Sequence, residues 1–396
     1  MAGHEGRDHA VLSASGSHRW LHCTPSVLLE ERYGVQGDTT YAEEGTKAHE
    51  LAECYVKRDI LHDKSKSLES EIAAIKESDY YDREMEISVG EYVDRIREIF
   101  DAAKSEDDLA ELITEQRVDL RDWVPESFGT TDCTVIANGR MVVIDLKYGK
   151  GVKVDAENNP QLRLYALGSY KTHSLFYDIK TVTMVIIQPR IDHISMETIG
   201  IDELLDWAEK DVKPKAKEAF AGDGELSAGD WCQFCKVRSR CRKLYEENIE
   251  RAKECFGADP RIMTDADIAD VVTRGDSVTG WINAVVEYAT SLAVNEGKTF
   301  EGLKLVRGRS VRKWADEEHV PEVILARFPK LTMGQLTKVK MVGIGDVEKL
   351  VGKKTFNERL EDLTVKPEGK LTLVPLSDKR PAANQTDAAK EAFANG

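Results

Sequence analysis

Residues 130–147 read TTDCTVIANGRMVVIDLK, and this segment decides the predicted fold. The Asn-Gly pair at 138–139 separates two apolar runs. This pattern predicts a hairpin with a two-residue turn of type I′, in which both central residues have positive φ. Counting back from that turn along both strands puts Asp132 directly opposite Asp145. Opposed residues have Cβ atoms about 4.5–5.5 Å apart. Two carboxylates this close repel each other, so the pair indicates a function rather than a contribution to stability.

The same hairpin predicts which side chains share a face. Side chains alternate along a strand, so Lys147 shares the face of Asp145, whereas Ile144 and Leu146 are expected in the core. Two carboxylates suit a divalent cation that prefers oxygen ligands, such as Mg²⁺ or Mn²⁺. A neighbouring ammonium group can act on a charged phosphate. The alternative is a surface hairpin with an ordinary Asp–Lys ion pair, because D-x-K alone is a short motif. The predicted opposition of the two aspartates favours the metal site.

Hydrophobic periodicity predicts the elements around the hairpin. The predicted helices are 45–58, 85–104, 160–171 and 201–220, and the predicted strands are 111–119, 131–137, 141–147 and 181–188. This order favours the α/β class, with a mixed central sheet flanked by helices. The predicted domains are 1–255, a mainly helical accessory domain at 256–376 with a strand pair near 302–314, and a flexible polar tail at 377–396.

The charge is unevenly distributed along the chain. The composition is that of a globular protein, with 41% hydrophobic and 32% charged residues, but the net charge is −16. An acidic balance argues against a uniformly basic nucleic-acid-binding surface. Segments 232–243 and 303–313 depart from it, since each carries five basic residues and no acid. We predict weak DNA contact through Arg307, Arg309 and Arg312, with a solvated charged face as the alternative.

The location follows from the absence of two signals. No apolar stretch is long enough to span a bilayer, and the polar N-terminus MAGHEGRDHA lacks the apolar core of a secretory signal. The seven irregularly spaced cysteines do not form the pattern of a secreted disulfide framework. We therefore expect a cytoplasmic protein without membrane association.

The cysteines themselves suggest a metal site. Cys232, Cys235 and Cys241 have the spacing C-x2-C-x5-C, which is typical of metal ligands, and a tetrahedral thiolate site needs a fourth donor. Cys23 lies more than two hundred residues upstream. Spacing alone favours zinc, because C-x-x-C sites in intracellular proteins commonly bind zinc. His22 is a conceivable substitute ligand.

These motifs resemble the RecB/AddB branch of the PD-(D/E)XK nucleases over about residues 13–245. The segments GTTD and IDLK match the catalytic core, GTKAH matches an upstream helix with a histidine metal ligand, and QLRLYALG matches a following helix with a glutamine and a tyrosine. A glutamate before the hairpin matches more loosely. The matched residues are His49, Glu115, Asp132, Asp145, Lys147, Gln161 and Tyr165. The resemblance implies a restriction-endonuclease-like core, metal held by His49, Asp132 and Asp145, and a catalytic lysine at Lys147.

The resemblance also changes the interpretation of the cysteines. Nucleases of this branch and CRISPR-associated RecB-like nucleases join one N-terminal cysteine and a C-terminal trio through an iron–sulfur cluster. By this likeness, Cys23, Cys232, Cys235 and Cys241 hold a [4Fe–4S] cluster, with zinc as the alternative.

The implied substrate is DNA, with a free end if the enzyme is an exonuclease or end-processing nuclease. The whole chain, including the closing LVPLSDKRPA, also resembles a phage-encoded family of largely unknown function. That likeness suggests a role in phage DNA replication or recombination in a bacterial host, with a recombination or single-strand-binding protein as partner. The alternative is a catalytically silent DNA- or partner-binding module on a nuclease fold.

Overall fold

The computed structural model describes residues 10–34, 40–256, 263–304, 306, 319–328, 332–336, 359 and 363. The chain divides into two compact units, 1–285 and 286–396. The predicted domain boundary after residue 255 stays a prediction.

A five-stranded mixed sheet forms the centre of the first unit. Its strands are β1 (Glu111–Asp119), β2 (Phe128–Ala137), β3 (Arg140–Leu146), β4 (Thr181–Gln188) and β5 (His193–Gly200), and they lie in that order. Strands β3 and β4 are parallel, and the other neighbours are antiparallel. The sequence predicted the first four strands. It missed β5 because this edge strand has alternating exposed residues and only one buried side chain, that of Ile199.

The central hairpin has the predicted register but a different turn. Strand β2 pairs with β3 from Ala137↔Arg140 to Cys133↔Ile144, as the two-residue turn requires. Gly139 has φ of 76°, but Asn138 does not have positive φ, so the predicted type I′ conformation is wrong. The backbone N–H of Asn138 donates a hydrogen bond to Asp107 Oδ2 at 2.8 Å. This contact with the end of a neighbouring helix constrains the turn in a way that the dipeptide alone does not reveal.

Helices cover both faces of the sheet. They are α1 (Ser17–His22), α2 (Ser26–Tyr33), α3 (Thr40–Asp59), α4 (Lys66–Lys76), α5 (Arg83–Glu106), α6 (Pro160–His173), α7 (Ile201–Trp207) and α8 (Lys213–Ala221), and a π-helical segment at Ala208–Val212 joins the last two. One core packs α1, α2 and α6 to α8 against one face of the sheet, and a second core packs α3 to α5 against the other. Ile144 and Leu146 are buried in the second core, as predicted. The predicted α/β class with helices on both sides of a mixed sheet is confirmed.

After residue 241, the regular secondary structure that the described residues form is helical. The helices are α9 (Arg242–Phe256), α10 (Asp265–Asn295), α11 (Val320–Arg327) and α12 (Met333–Leu336). Most of the predicted strand pair near 302–314 and the whole predicted tail at 377–396 lie outside the described residues. Among the described helices, none is both long and apolar enough to cross a membrane.

Candidate metal centre and cysteine site

Asp132 occupies the position where the pairing of β2 and β3 stops. The last backbone pair is Cys133↔Ile144, and at the next position the side chain of Asp132 replaces the ladder. Its Oδ2 accepts a hydrogen bond from Leu146 N at 2.7 Å. Its Oδ1 lies 3.3 Å from Nδ1 of His49, which helix α3 brings to the end of the strands. Asp132 is therefore fixed from both sides.

His49 and Asp132 each favour the charged form of the other. Burial lowers the pKa of His49, but the charge of Asp132 and the hydrogen bond to it outweigh burial and raise that pKa to about 9. Burial raises the pKa of Asp132, but the charge of His49 and the hydrogen bonds from His49 and Leu146 bring it below its usual value. Without metal, an imidazolium–carboxylate pair is thus the favoured state at neutral pH.

Glu115 completes a group of three metal-ligand types. It lies in β1 between the pairs Thr114↔Cys133 and Gln116↔Thr131, and therefore faces Asp132. One ligand atom each from His49, Glu115 and Asp132 lie within 4.8 Å of one another. Burial, followed by the charge of Asp132, raises the pKa of Glu115 to about 7.

The backbone of Glu115 is unusual for a strand. Its φ is 46°, in the left-handed region that a residue with a side chain rarely adopts. Such a conformation costs about 1–3 kcal/mol and is concentrated at functional sites. The sequence contains no signal for this strain, since residue 115 is a glutamate and not glycine, asparagine or aspartate, which adopt positive φ more readily.

Asp145 and Lys147 form the second half of the site. The side chain of Asp145 is 4% exposed, and its Oδ2 makes an ion pair with Lys147 Nζ at 2.9 Å. Gln161 Oε1 accepts a hydrogen bond from Lys147 Nζ at 2.9 Å, and Gln161 Nε2 donates to Asp145 Oδ1 at 3.4 Å and to the hydroxyl of Tyr165 at 3.2 Å. Burial raises the pKa of Asp145; the charge of Lys147 opposes this shift and that of Asp132 adds to it.

The position of helix α6 explains how Gln161 and Tyr165 reach the strands. The side chain of Asn159 caps the helix by accepting from the N–H groups of Gln161 and Leu162. The preceding loop is tied to the edge of the sheet, because Gln188 accepts from Val154 N at 2.7 Å and Ser195 Oγ accepts from Ala156 N at 2.9 Å. Sequence reasoning missed these two anchors, since nothing marks a single glutamine or serine as the support of a distant loop.

The structure thus brings all seven sequence-predicted residues of the carboxylate site into one connected region. His49, Glu115 and Asp132 form the compact group, whereas Asp145 contacts Lys147 and Gln161. The loosest sequence match, Glu115, belongs to the compact group. A set of two or three carboxylates with one imidazole suits a divalent cation such as Mg²⁺ or Mn²⁺. The predicted DNA-contacting residues Arg307, Arg309 and Arg312 lie outside the described residues.

The four predicted cysteine ligands line one small cavity. Cys23, at the corner between α1 and α2, meets Cys232, Cys235 and Cys241 of the loop before α9. All four are free thiols. Burial raises the pKa of Cys232, and it raises that of Cys235 to about 12. Thiolate ligation here would therefore release protons when a metal binds.

The spacing of the sulfur atoms bears on the kind of metal group. A tetrahedral zinc site, with Zn–S distances of about 2.3 Å, holds its sulfur atoms about 3.8 Å apart. Within the described part of the chain, no three cysteine sulfur atoms lie within 4.8 Å of one another. Four cysteines that share one cavity fit a thiolate-bound group. Among the described residues, no three of their sulfur atoms are as close together as in a tetrahedral zinc site.

The fold and site define an α/β protein with a carboxylate–histidine candidate metal centre and a separate four-cysteine cavity. The chain belongs to the family described as "Protein of unknown function (DUF2800)", whose model matches residues 9–381. A solved structure titled "Crystal structure of SSO0001" matches 61% of this chain and 90% of its own, with 14% sequence identity and a TM-score of 0.26. A likeness this distant carries no argument about function.

Proposed function

We propose that this protein is a divalent-metal-dependent deoxyribonuclease that hydrolyses phosphodiester bonds. One observation carries the proposal: Lys147 lies beside buried Asp145 at the strand end where His49, Glu115 and Asp132 converge. Three acidic side chains close together destabilise a sheet by repulsion, so their presence here indicates a function rather than a contribution to stability. The sequence resemblance to PD-(D/E)XK nucleases supports the same assignment independently of these distances.

His49, Glu115, Asp132 and Asp145 are the residues that would hold Mg²⁺ or Mn²⁺. The bound ion would supply Lewis-acid activation of water and charge neutralisation at the scissile phosphate. The left-handed backbone at Glu115 aims its carboxylate toward His49 and Asp132 before any ligand arrives. Burial opposes ionisation of Asp132, but the charge of His49 and the hydrogen bonds from His49 and Leu146 N keep its pKa below the usual value, so the carboxylate is in its ligating form.

Lys147 provides a positioned positive charge. Its Nζ is held by Asp145 Oδ2 and by Gln161 Oε1, both at 2.9 Å. A fixed ammonium group stabilises negative charge that develops on the phosphate in the transition state. Gln161, itself linked to Tyr165, sets the direction of this ammonium group. We assign Lys147 to the chemistry and Gln161 to positioning.

The cysteine site is proposed to hold a [4Fe–4S] cluster. Four free thiols line one cavity, and the sequence resemblance favours an iron–sulfur cluster as the group they bind. Zinc remains the alternative that metal analysis decides. The preference for an exonuclease or end-processing reaction, and the phage recombination setting, rest on the sequence resemblance.

The test is incubation of the full-length protein, purified anaerobically, with end-labelled single- and double-stranded DNA in Mg²⁺, Mn²⁺ or EDTA. We expect cleavage with either ion and none in EDTA. Lys147→Ala should lower the cleavage rate by about 10²–10³-fold. The matched control is Lys171→Ala, which removes another lysine paired with an aspartate at a strand end, Asp119, at 3.1 Å. DNA binding without cleavage under all conditions would refute the nuclease and favour the silent binding module.

A further inference from the structure

Two aromatic side chains stack beside the cysteine cavity. His22 and Trp231 each immediately precede a cysteine of the site, Cys23 and Cys232. Their ring centroids are 4.4 Å apart and their planes are inclined by 11°. Trp231 lines the cavity together with the four cysteines, and His22 is exposed. The stack therefore joins the segment of Cys23 to that of Cys232 and lies at the side of the cavity that Trp231 lines.

Each ring of this stack has its own hydrogen bond. Trp231 Nε1 donates to Ser227 O at 3.1 Å, and His22 Nδ1 lies 2.7 Å from His18 O. The indole also depends on Gly229, because a Cβ there would lie 2.5 Å from the Trp231 ring. A contact under 3 Å would force the ring to move, so only glycine at this position lets the indole fold back over the loop.

A second link fixes the same two segments without any cysteine. Arg19 of α1 makes an ion pair with Glu30 of α2 at 2.8 Å, and Glu30 Oε1 accepts from the backbone N–H of Lys236 at 2.7 Å. The Arg19 and Glu30 side chains are 18% and 14% exposed. A sheltered ion pair with a further hydrogen bond is screened less than a surface pair. The corner that carries Cys23 is thus attached to the cysteine loop before any metal binds.

We propose that the His22–Trp231 stack is a cover that restricts the access of solutes to the four thiols, and that the Arg19–Glu30 pair holds the corner beneath it. This inference rests on the proposed four-cysteine site, but not on the nuclease activity. Trp231 and His22 act as positioning and shielding residues and are not ligands. The cover predicts a preformed site whose metal, once inserted, is lost slowly.

The test compares Trp231→Ala with Trp231→Phe, which keeps an aromatic ring for stacking. The matched control is Phe234→Ala, because Phe234 lies between Cys232 and Cys235 in the same loop but is 75% exposed. Anaerobically purified full-length proteins are exposed to EDTA in air. Loss of iron–sulfur absorbance, or zinc release to a chromogenic chelator, is followed against time. In parallel, the metal-free chain is alkylated with N-ethylmaleimide and the modified cysteines are identified by mass spectrometry.

We expect metal loss and alkylation of the four cysteines to be roughly three- to tenfold faster in Trp231→Ala, the factor expected when one aromatic pair no longer opposes local opening. Trp231→Phe and Phe234→Ala should match the wild type. If Trp231→Ala does not fold, His22→Ala, which removes only the exposed ring, should give a smaller acceleration.

Unchanged rates in both the Trp231 and His22 variants would overturn the cover. An equal acceleration in Phe234→Ala would do so too, since it would show general loosening of the loop. These outcomes are separate from the proposed function. If the cysteines are shielded but the protein does not cleave DNA, only the proposed nuclease activity is refuted. If the protein cleaves DNA but the cysteines are not shielded, only the proposed cover is refuted.

Discussion

The carboxylate centre and the cysteine cavity are built in opposite ways. In the first, three neighbouring strands carry Glu115, Asp132 and Asp145, so the backbone pairing of the residues around them limits the distances between charges. In the second, short helices and a loop place the cysteines, and side-chain contacts such as Arg19–Glu30 set the distances. The sheet tolerates repulsion at its end because the rest of the ladder is intact. The loop has no ladder, so its geometry depends on each individual contact and on whatever the thiols bind.

The largest expected effect concerns the proposed catalysis at the carboxylate centre. Asp145→Asn keeps the shape of a buried side chain whose pKa burial already raises, so we expect normal folding. Lys147→Ala removes the positioned charge. Each change should lower the cleavage rate by about 10²–10³-fold, the usual cost of losing a preorganised electrostatic group. Single-turnover assays on end-labelled DNA measure this. Metal-dependent cleavage by Asp145→Asn at the wild-type rate would contradict the site.

The next effect tests whether the cysteine cavity binds a metal group that stabilises the protein. Cys232→Ser should bleach the absorbance near about 400 nm that thiolate-bound iron gives. It should also lower the unfolding free energy by about 2–4 kcal/mol, as loss of a long-range cross-link does. Cys54→Ser is the control for absorbance, because Cys54 is buried in α3 away from the cavity. Anaerobic spectra and urea unfolding give both readouts. Stoichiometric zinc without iron would rule out the cluster and retain the cross-link.

Metal should stabilise the carboxylate centre by a comparable amount. At a Mn²⁺ concentration about 100 times its Kd, linkage raises the unfolding free energy by about 2.7 kcal/mol. His49→Ala should lose most of this stabilisation, because it removes one of the three clustered ligands. Thermal melting with Mn²⁺ and with EDTA measures the difference. His173→Ala is the control, since the His173 ring contacts Gln116 and Tyr177 and is not one of the three clustered ligands. Equal Mn²⁺ stabilisation of His49→Ala and wild type would show that His49 is not a ligand.

The smallest expected effect is a pH-dependent gain from Glu115→Gln in EDTA. Burial, followed by the charge of Asp132, raises the folded-state pKa of Glu115 to about 7, above its ordinary value of 4.5. A raised carboxyl pKa means that the folded state binds its proton more tightly, so the wild type loses stability as pH rises from 4.5 through 7. Glutamine does not titrate. The variant should therefore match the wild type at pH near about 4 and exceed it by about 1 kcal/mol above pH near about 8. A pH-independent difference in melting would contradict this assignment.

The sequence predicted the carboxylate centre better than the cysteine cavity for a physical reason. The turn at residues 138–139 was enough to predict the register from Ala137↔Arg140 to Cys133↔Ile144, because strand pairing propagates register without further information. The pairing stops one position short of Asp132 and Asp145, so their predicted direct opposition stays a prediction. The left-handed backbone of Glu115 and the loop anchors on Gln188 and Ser195 could not be predicted, since they depend on contacts between distant segments. For the cysteines, spacing predicted the trio Cys232, Cys235 and Cys241, and the family resemblance added Cys23. It did not predict the stack of His22 on Trp231.

The hydrogen bond from Leu146 N to Asp132 Oδ2 gives the protein an internal spectroscopic probe. On the other side of the same strand segment, Lys147 N donates to Ile187 O, an ordinary backbone acceptor on β4. The two consecutive amides thus differ in their acceptors: the first donates to a carboxylate that is a proposed metal ligand, and the second donates to a backbone carbonyl. In a ¹⁵N-labelled sample, the Leu146 resonance should move when cation binds or when His49 loses its proton, while that of Lys147 serves as an adjacent reference. Occupancy of the centre can then be followed in solution without DNA and without any substitution in the site.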